Sequence, residues 1–343
     1  MTRPRSGRRP WARIAPVLVA AAAVGMAGIG DTLAAFTSTA QTAGNAVAAA
    51  EDFRAPSVEA GVIMRSGGSV PGFVKQAGPY YVYARVAADT GDPAAWVATV
   101  TADVSGLTGA GASVPLLAGS YSVDGVSYNY RSAPLTADAV LPEGPRSYSI
   151  TATDNASNAA TLSGLSVTVD NSAPSAADVQ TANTGGGTVG RAQLGDTLTL
   201  RFSEPIDPAT VLSGWGGGST NVVVRMTNGG LLGLGTDDVE IRNAADSAAL
   251  PLGRIDLGRS DYITGLLGGE TVSFGAGGTA STMVMDGDEV TITLGSASGS
   301  DSVATAAATG TTSWAPSTTP TDRAGNVSAL TAANESGAAD KEV

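Results

Sequence analysis

Any chemistry in this chain has to come from oxygen. Its 343 residues include 31 Asp and Glu but no cysteine and no histidine. Thiolate nucleophiles, disulfides, Cys/His zinc sites and a Ser-His-Asp triad are therefore excluded. A general base working near neutral pH would be a strongly shifted carboxylate or one of the two lysines, Lys75 and Lys341. Acids that stand close in sequence are Glu204 with Asp207, Asp237 and Asp238 with Glu240, and Asp286 and Asp288 with Glu289. Two carboxyl groups held at a fixed separation are the equipment of a glycoside hydrolase. Each group also has a plainer reading. Glu204 and Asp207 lie in a Pro-bracketed turn, where exposure and small pKa shifts are expected, and Asp286-Gly287-Asp288 separates two alternating segments as a hairpin turn does. The turn reading is the stronger for every cluster, so no catalytic residue is assigned.

Calcium is the better-matched ligand, because it takes six to eight oxygens and needs neither His nor Cys. Asp154, Asn155, Asp170, Asn171 and Asp178 are the residues that would converge on such an ion near a domain seam. No EF-hand loop or nonapeptide repeat accompanies them. The glycine clusters at 214–218 and 229–235 lack the lysine of a P-loop and the helix of a dinucleotide fold, and read as loops or bulges. No organic cofactor is implied. A net charge of −12 argues against nucleic acid, which is held by basic patches.

These acids must be positioned by strands. Val82, Ala84 and Val86 alternate with Tyr81, Tyr83 and Arg85; Trp96, Ala98, Val100, Ala102 and Val104 alternate with Thr99, Thr101 and Asp103. Tyr148, Ile150 and Ala152 do so with Ser149, Thr151 and Thr153, and Leu165, Val167 and Val169 form a last strand. Asp124-Gly125 marks a tight hairpin between Tyr121 and Tyr130. Period two with frequent turns predicts an all-β chain built of sandwiches. Asp170-Asn171-Ser172-Ala173-Pro174-Ser175 is a turn-and-proline seam that divides residues 54–173 from a second, glycine-rich module at 174–331. In the second module strands are expected at 198–202, 222–226, 239–242, 271–274, 281–285 and 289–294. Residues 332–343 read as a frayed tail.

Residues 1–34 read as a secretory signal. Five arginines in the first 13 residues precede an uncharged run from Ile14 to Gly30, too short to span a bilayer. The junction Leu33-Ala34-Ala35-Phe36-Thr37, with Asn45-Ala46-Val47 and Glu51-Asp52-Phe53 beyond it, resembles the leaders handled by SipW-type signal peptidases in the TasA and camelysin group. The resemblance implies cleavage near Ala34-Ala35, a spacer over 35–53, processing by a SipW-type peptidase, and a secreted or envelope-associated chain with no membrane segment after cleavage.

The string from Tyr148 to Asn158 resembles the penultimate strand and turn of bacterial Ig-like domains. Asp322-Arg323-Ala324-Gly325-Asn326 repeats its turn, and Phe202-Ser203-Glu204-Pro205-Ile206-Asp207-Pro208 is similar to a segment of another exported Ig-like class. Independently of any family, Asp154 with Asn158 and Asp322 with Asn326 have the spacing at which short polar side chains bond a turn's own amides. The resemblance implies two tandem Ig-like sandwiches, a tyrosine corner at Tyr148 and a core position for Trp96. It further implies a bacterial, non-enzymatic surface protein acting as spacer, adhesin or matrix component, with an unidentified envelope protein or glycan as partner. A TasA-like fibre subunit is the alternative, and an exported hydrolase using carboxylates is the third reading.

Overall fold

The computed structural model describes residues 40–42, 45–47, 53–89, 95–229, 235–265, 268–299 and 302–341. The leader expected at 1–34 and most of the spacer at 35–53 lie outside these residues. Two compact units are present, Met1–Ala49 and Ala50–Val343. In the first, β1 (Ala40–Thr42) pairs antiparallel with β2 (Asn45–Val47).

The second unit is all-β and holds both modules. Module 1 contains β3 (Ser57–Arg65), β4 (Phe73–Val74), β5 (Pro79–Ala87), β6 (Val97–Asp103), β7 (Val114–Val123), β8 (Val126–Ser132), β9 (Leu135–Thr136), β10 (Gly144–Asp154) and β11 (Ala159–Val169). Their order is β3-β5-β8-β7-β6-β10-β11-β4, with β9 on β5. The first residues of β7 pair with β6 and the rest with β8, so this strand passes from one layer to the other. Tyr80, Val82, Ala84 and Val86 face Val100, Ala102, Ile150, Ala152, Val167 and Val169 in one core. Asp124 and Gly125 both have positive φ, the two-residue turn whose twist suits a hairpin.

β3 has no counterpart among the expected strands. Ile63 points into the core while Val62 and Met64 pack on the opposite side against Tyr83. An apolar strand on both faces has no period of two. Gly61 faces the core beneath the side-chain ends of Ile150 and Leu165, which a Cβ there would displace.

Trp96 is not a core residue. It is 62 % exposed. Thr153 pairs with Thr99 but Asp154 pairs with Val97, so Ala98 is an inserted bulge residue that reverses the alternation. Val97 packs on the core in place of the tryptophan.

Module 2 contains β12 (Ala176–Ala182), β13 (Thr197–Phe202), β14 (Thr220–Thr227), β15 (Asp238–Asn243), β16 (Arg254–Asp256), β17 (Thr271–Phe274), β18 (Ser281–Asp286), β19 (Glu289–Thr293), β20 (Ala297–Ser298), β21 (Ser313–Ala315) and β22 (Ala333–Asn334). The order is β12-β13-β19-β18-β14-β15-β16-β21-β22, with β17 bridging β14 and β20. Every strand expected from the sequence is present here. Trp314, fully buried, meets Phe202 edge-on at 4.7 Å and donates from Nε1 to the Leu252 carbonyl at 2.7 Å.

The final residues are bound rather than frayed. Ala329 N donates to Pro174 O, Ser336 N to Asp178 Oδ1 and Gly310 N to Asp340 O, each at 2.8 Å. Lys341 lies over Gly190. The tail thus leaves the seam and runs outward beside β12.

Candidate functional site

The seam between the modules holds two buried carboxylates, Asp207 and Asp322. Asp207, wholly buried, caps the 3₁₀ turn Pro208–Thr210 by accepting from Ala209 N at 3.1 Å. Its carboxylate also receives Arg65 Nη2 at 2.6 Å, Ser69 N at 3.0 Å and the Ser69 hydroxyl. Arg65 and Ser69 belong to module 1. Lys75 Nζ donates to Gly325 O at 2.6 Å, Asn326 Nδ2 to Asp170 O at 2.9 Å, and the Arg323 guanidinium sits 5.7 Å from the Phe73 ring. The expectation of an exposed Asp207 is therefore wrong. The Pro-bracketed turn is pressed against module 1, which no feature within the turn announces.

Module 2 presents this surface through the Asp322–Asn326 turn. Asp322 Oδ1 accepts from Gly325 N at 2.6 Å and Asn326 N at 2.8 Å, and Oδ2 from Asn326 Nδ2 at 2.7 Å. The Asp154–Asn158 turn is built alike, with Oδ1 accepting from Asn158 N at 2.8 Å and Oδ2 from Asn158 Nδ2 at 3.0 Å. In each, the fourth residue has positive φ: Ser157 at 71° and Gly325 at 95°. The two Asp–Asn pairs stand where sequence spacing puts them, as paired turn-closing side chains. Only the second reaches the seam.

Asp170, Glu204 and Asp322 meet there, with one carboxylate oxygen from each within 4.8 Å of the others. Burial pushes Glu204 up to about 7, helped by the charges of Asp170 and Asp322 and a hydrogen bond shared with Asp170. Burial also raises Asp322 against the hydrogen bonds that lower it. The turn predicts a small shift for Glu204; its burial, aided by acids distant in sequence, makes the shift large. The three carboxylates face one another closely enough to receive a hard cation. With one oxygen from each, the three carboxylates fill only part of calcium's six to eight positions.

The five calcium candidates do not come together. Asp154 and Asn155 close the far end of the β10–β11 hairpin, whereas Asp170 follows Val169, which pairs with Gly144 at the near end. About ten residues of strand, roughly 30 Å, separate them. Asn171 is turned into module 1, its Oδ1 accepting from Gln76 N and its Nδ2 donating to Leu141 O, both at 2.8 Å. Asp178 binds Ser336 and Val179 N.

The remaining acid clusters serve the fold. Asp237, fully buried, accepts from Gly229, Tyr262 and Ile263 amides. Asp238 pairs with Arg254 and Glu240 with Arg242. Asp286 pairs with Glu289 across a two-residue turn whose Gly287 has φ 62°.

Tyr148 is buried, and burial raises its pKa, but its hydroxyl makes no hydrogen bond among the described residues. A hydrogen-bonded corner is not formed there. No helix of the described residues is long and apolar enough to cross a membrane. No family model matches the chain, and no curated protein or solved structure is significantly similar to it.

Proposed function

We propose that this chain is an exported, non-enzymatic Ig-like protein that works outside the bacterial cell as a spacer, adhesin or matrix component. The observation that carries the reading is how the carboxylates are used. Asp154, Asp237, Asp238, Glu240 and Asp322 close turns and loops or pair with arginines within their own module, and Asp207 ties module 2 to Arg65 of module 1. The basic, then apolar leader supplies the export address, and the SipW-type junction near Ala34-Ala35 places the mature start.

Two measurements test this. N-terminal sequencing of protein secreted by the native host should begin near Ala35, and a retained leader would overturn export. Electron microscopy of the purified mature chain should show dispersed two-module particles. Ordered filaments would replace the spacer reading with a fibre subunit. Hydrolysis of a glycan that disappears in Glu204→Gln would overturn the non-enzymatic assignment.

A further inference from the structure

One side of module 1 carries an aromatic surface around an arginine with no acid partner. The tip of the β7–β8 hairpin lies over β3 and β5, where Tyr121, Val123 and Tyr128 pack around Tyr83. Asn129 allows the tip to leave the sheet, because its side chain bonds both Val86 N at 2.9 Å and Val86 O at 2.8 Å in place of a strand neighbour. At the rim of this cover Arg131 is clasped between rings, with its guanidinium carbon 4.6 Å from the Tyr81 centroid and 4.5 Å from that of Tyr121.

The other basic side chains of module 1 all meet oxygen: Arg54 with Asp89, Arg65 with Asp207, Lys75 with Gly325, Arg85 with Glu59 and Arg146 with Pro142. Arg131 meets none among the described residues. Its Nε–H is enclosed by the rings without an acceptor. Its other two nitrogens are neither buried nor bonded. A guanidinium held still by aromatic faces has already lost the freedom that binding would otherwise cost, and its planar fork matches a carboxylate. Beside it, Leu117 pairs with Arg131 across the strands and is 64 % exposed. The hydroxyls of Tyr81 and Tyr121 have no protein partner among the described residues.

We propose that this surface binds a carboxylated polysaccharide, with a uronate unit seated on Arg131. The inference rests on the reading that the chain acts outside the cell by binding, and names its partner. Charge complementarity commits the site to an anion, since Arg131 is the one basic side chain of module 1 that meets no oxygen among the described residues. The surroundings select a sugar. A uronate offers a carboxylate to the guanidinium, ring hydroxyls to the phenols and a C–H face to Leu117 and the ring edges. An acidic peptide would bring carboxylates without that face.

Affinity electrophoresis and calorimetry with polygalacturonate, dextran and polyglutamate test the proposal on the purified chain. Polygalacturonate should bind and dextran should not. Arg131→Gln and Leu117→Asp should each weaken binding at least tenfold. Leu117→Asp changes an exposed side chain, so it remains informative if Arg131→Gln fails to fold. The proposal is overturned if polygalacturonate is not bound, if both folded variants bind as the parent does, or if polyglutamate binds equally well. Such a failure leaves export and the spacer reading standing, because those are decided by N-terminal sequencing and imaging.

Discussion

Replacing Glu204 by glutamine should stabilise the protein in alkaline solution and leave it unchanged in acid. The acid's ordinary value is 4.5 and the folded environment raises it to about 7. Below 4.5 folded and unfolded chains both hold the proton, and stability has its full value. Between 4.5 and 7 the unfolded chain releases a proton that the folded chain keeps, so stability falls as pH rises and the loss is complete above 7. At 1.36 kcal/mol per pH unit the full displacement corresponds to about 3 kcal/mol. Glu204 keeps part of its surface in water, and screening there reduces the figure to about 1–1.5 kcal/mol. Glutamine has nearly the same shape and can donate to Asp170 as the protonated acid does, without a charge to repel Asp170 and Asp322. Calorimetric melting of the two proteins at pH 5 and pH 8 reads the difference. The variant should melt roughly 2–5 °C higher at pH 8, and the gap should shrink to about a quarter of that at pH 5. Asp237 and Asp322, also raised by burial, are common to both proteins. An equal gap at both pH values, or a less stable variant at pH 8, would refute the crowded-carboxylate argument.

Other perturbations probe the seam and the turns. Arg65→Met leaves Asp207 buried without its cation, and urea denaturation should show a loss of about 3 kcal/mol. Ser157→Gly should gain roughly 0.5–1 kcal/mol, because a left-handed serine costs about 1–2 kcal/mol and glycine's extra unfolded freedom takes part of that back. Gly325→Ala should lose stability in the same assay, since its Cβ would lie 3.2 Å from Arg65 Cδ at a φ of 95°. Tyr148→Phe should change stability by less than about 0.5 kcal/mol, against the roughly 0.5–1.5 kcal/mol of a hydrogen-bonded corner. A larger loss would show that the hydroxyl has a partner.

What the sequence shows and what it hides divide by range. The Asp154–Asn158 and Asp322–Asn326 turns are legible because donor and acceptor are four residues apart and the turn is closed by its own side chains. The hairpins at Asp124-Gly125 and Gly287 are legible for the same reason. Trp96 is misplaced by one inserted residue, Ala98, whose bulge is visible only against the partner strand. β3 is hidden because Ile63 serves one core while Val62 and Met64 serve another. Glu204 looks like a turn acid until Asp170 and Asp322 arrive from distant segments. The polarity of residues 332–343 reads as a frayed tail, yet Ser336 and Asp340 are held by Asp178 and Gly310.

That tail has a mechanical consequence. It starts at the seam beside Pro174, passes Asp178 and Gln180, and ends over Gly190. Tension between module 1 and the C-terminus therefore pulls the last residues lengthwise along β12. The Ala329, Ser336 and Asp340 contacts then share the load side by side in shear instead of opening one after another.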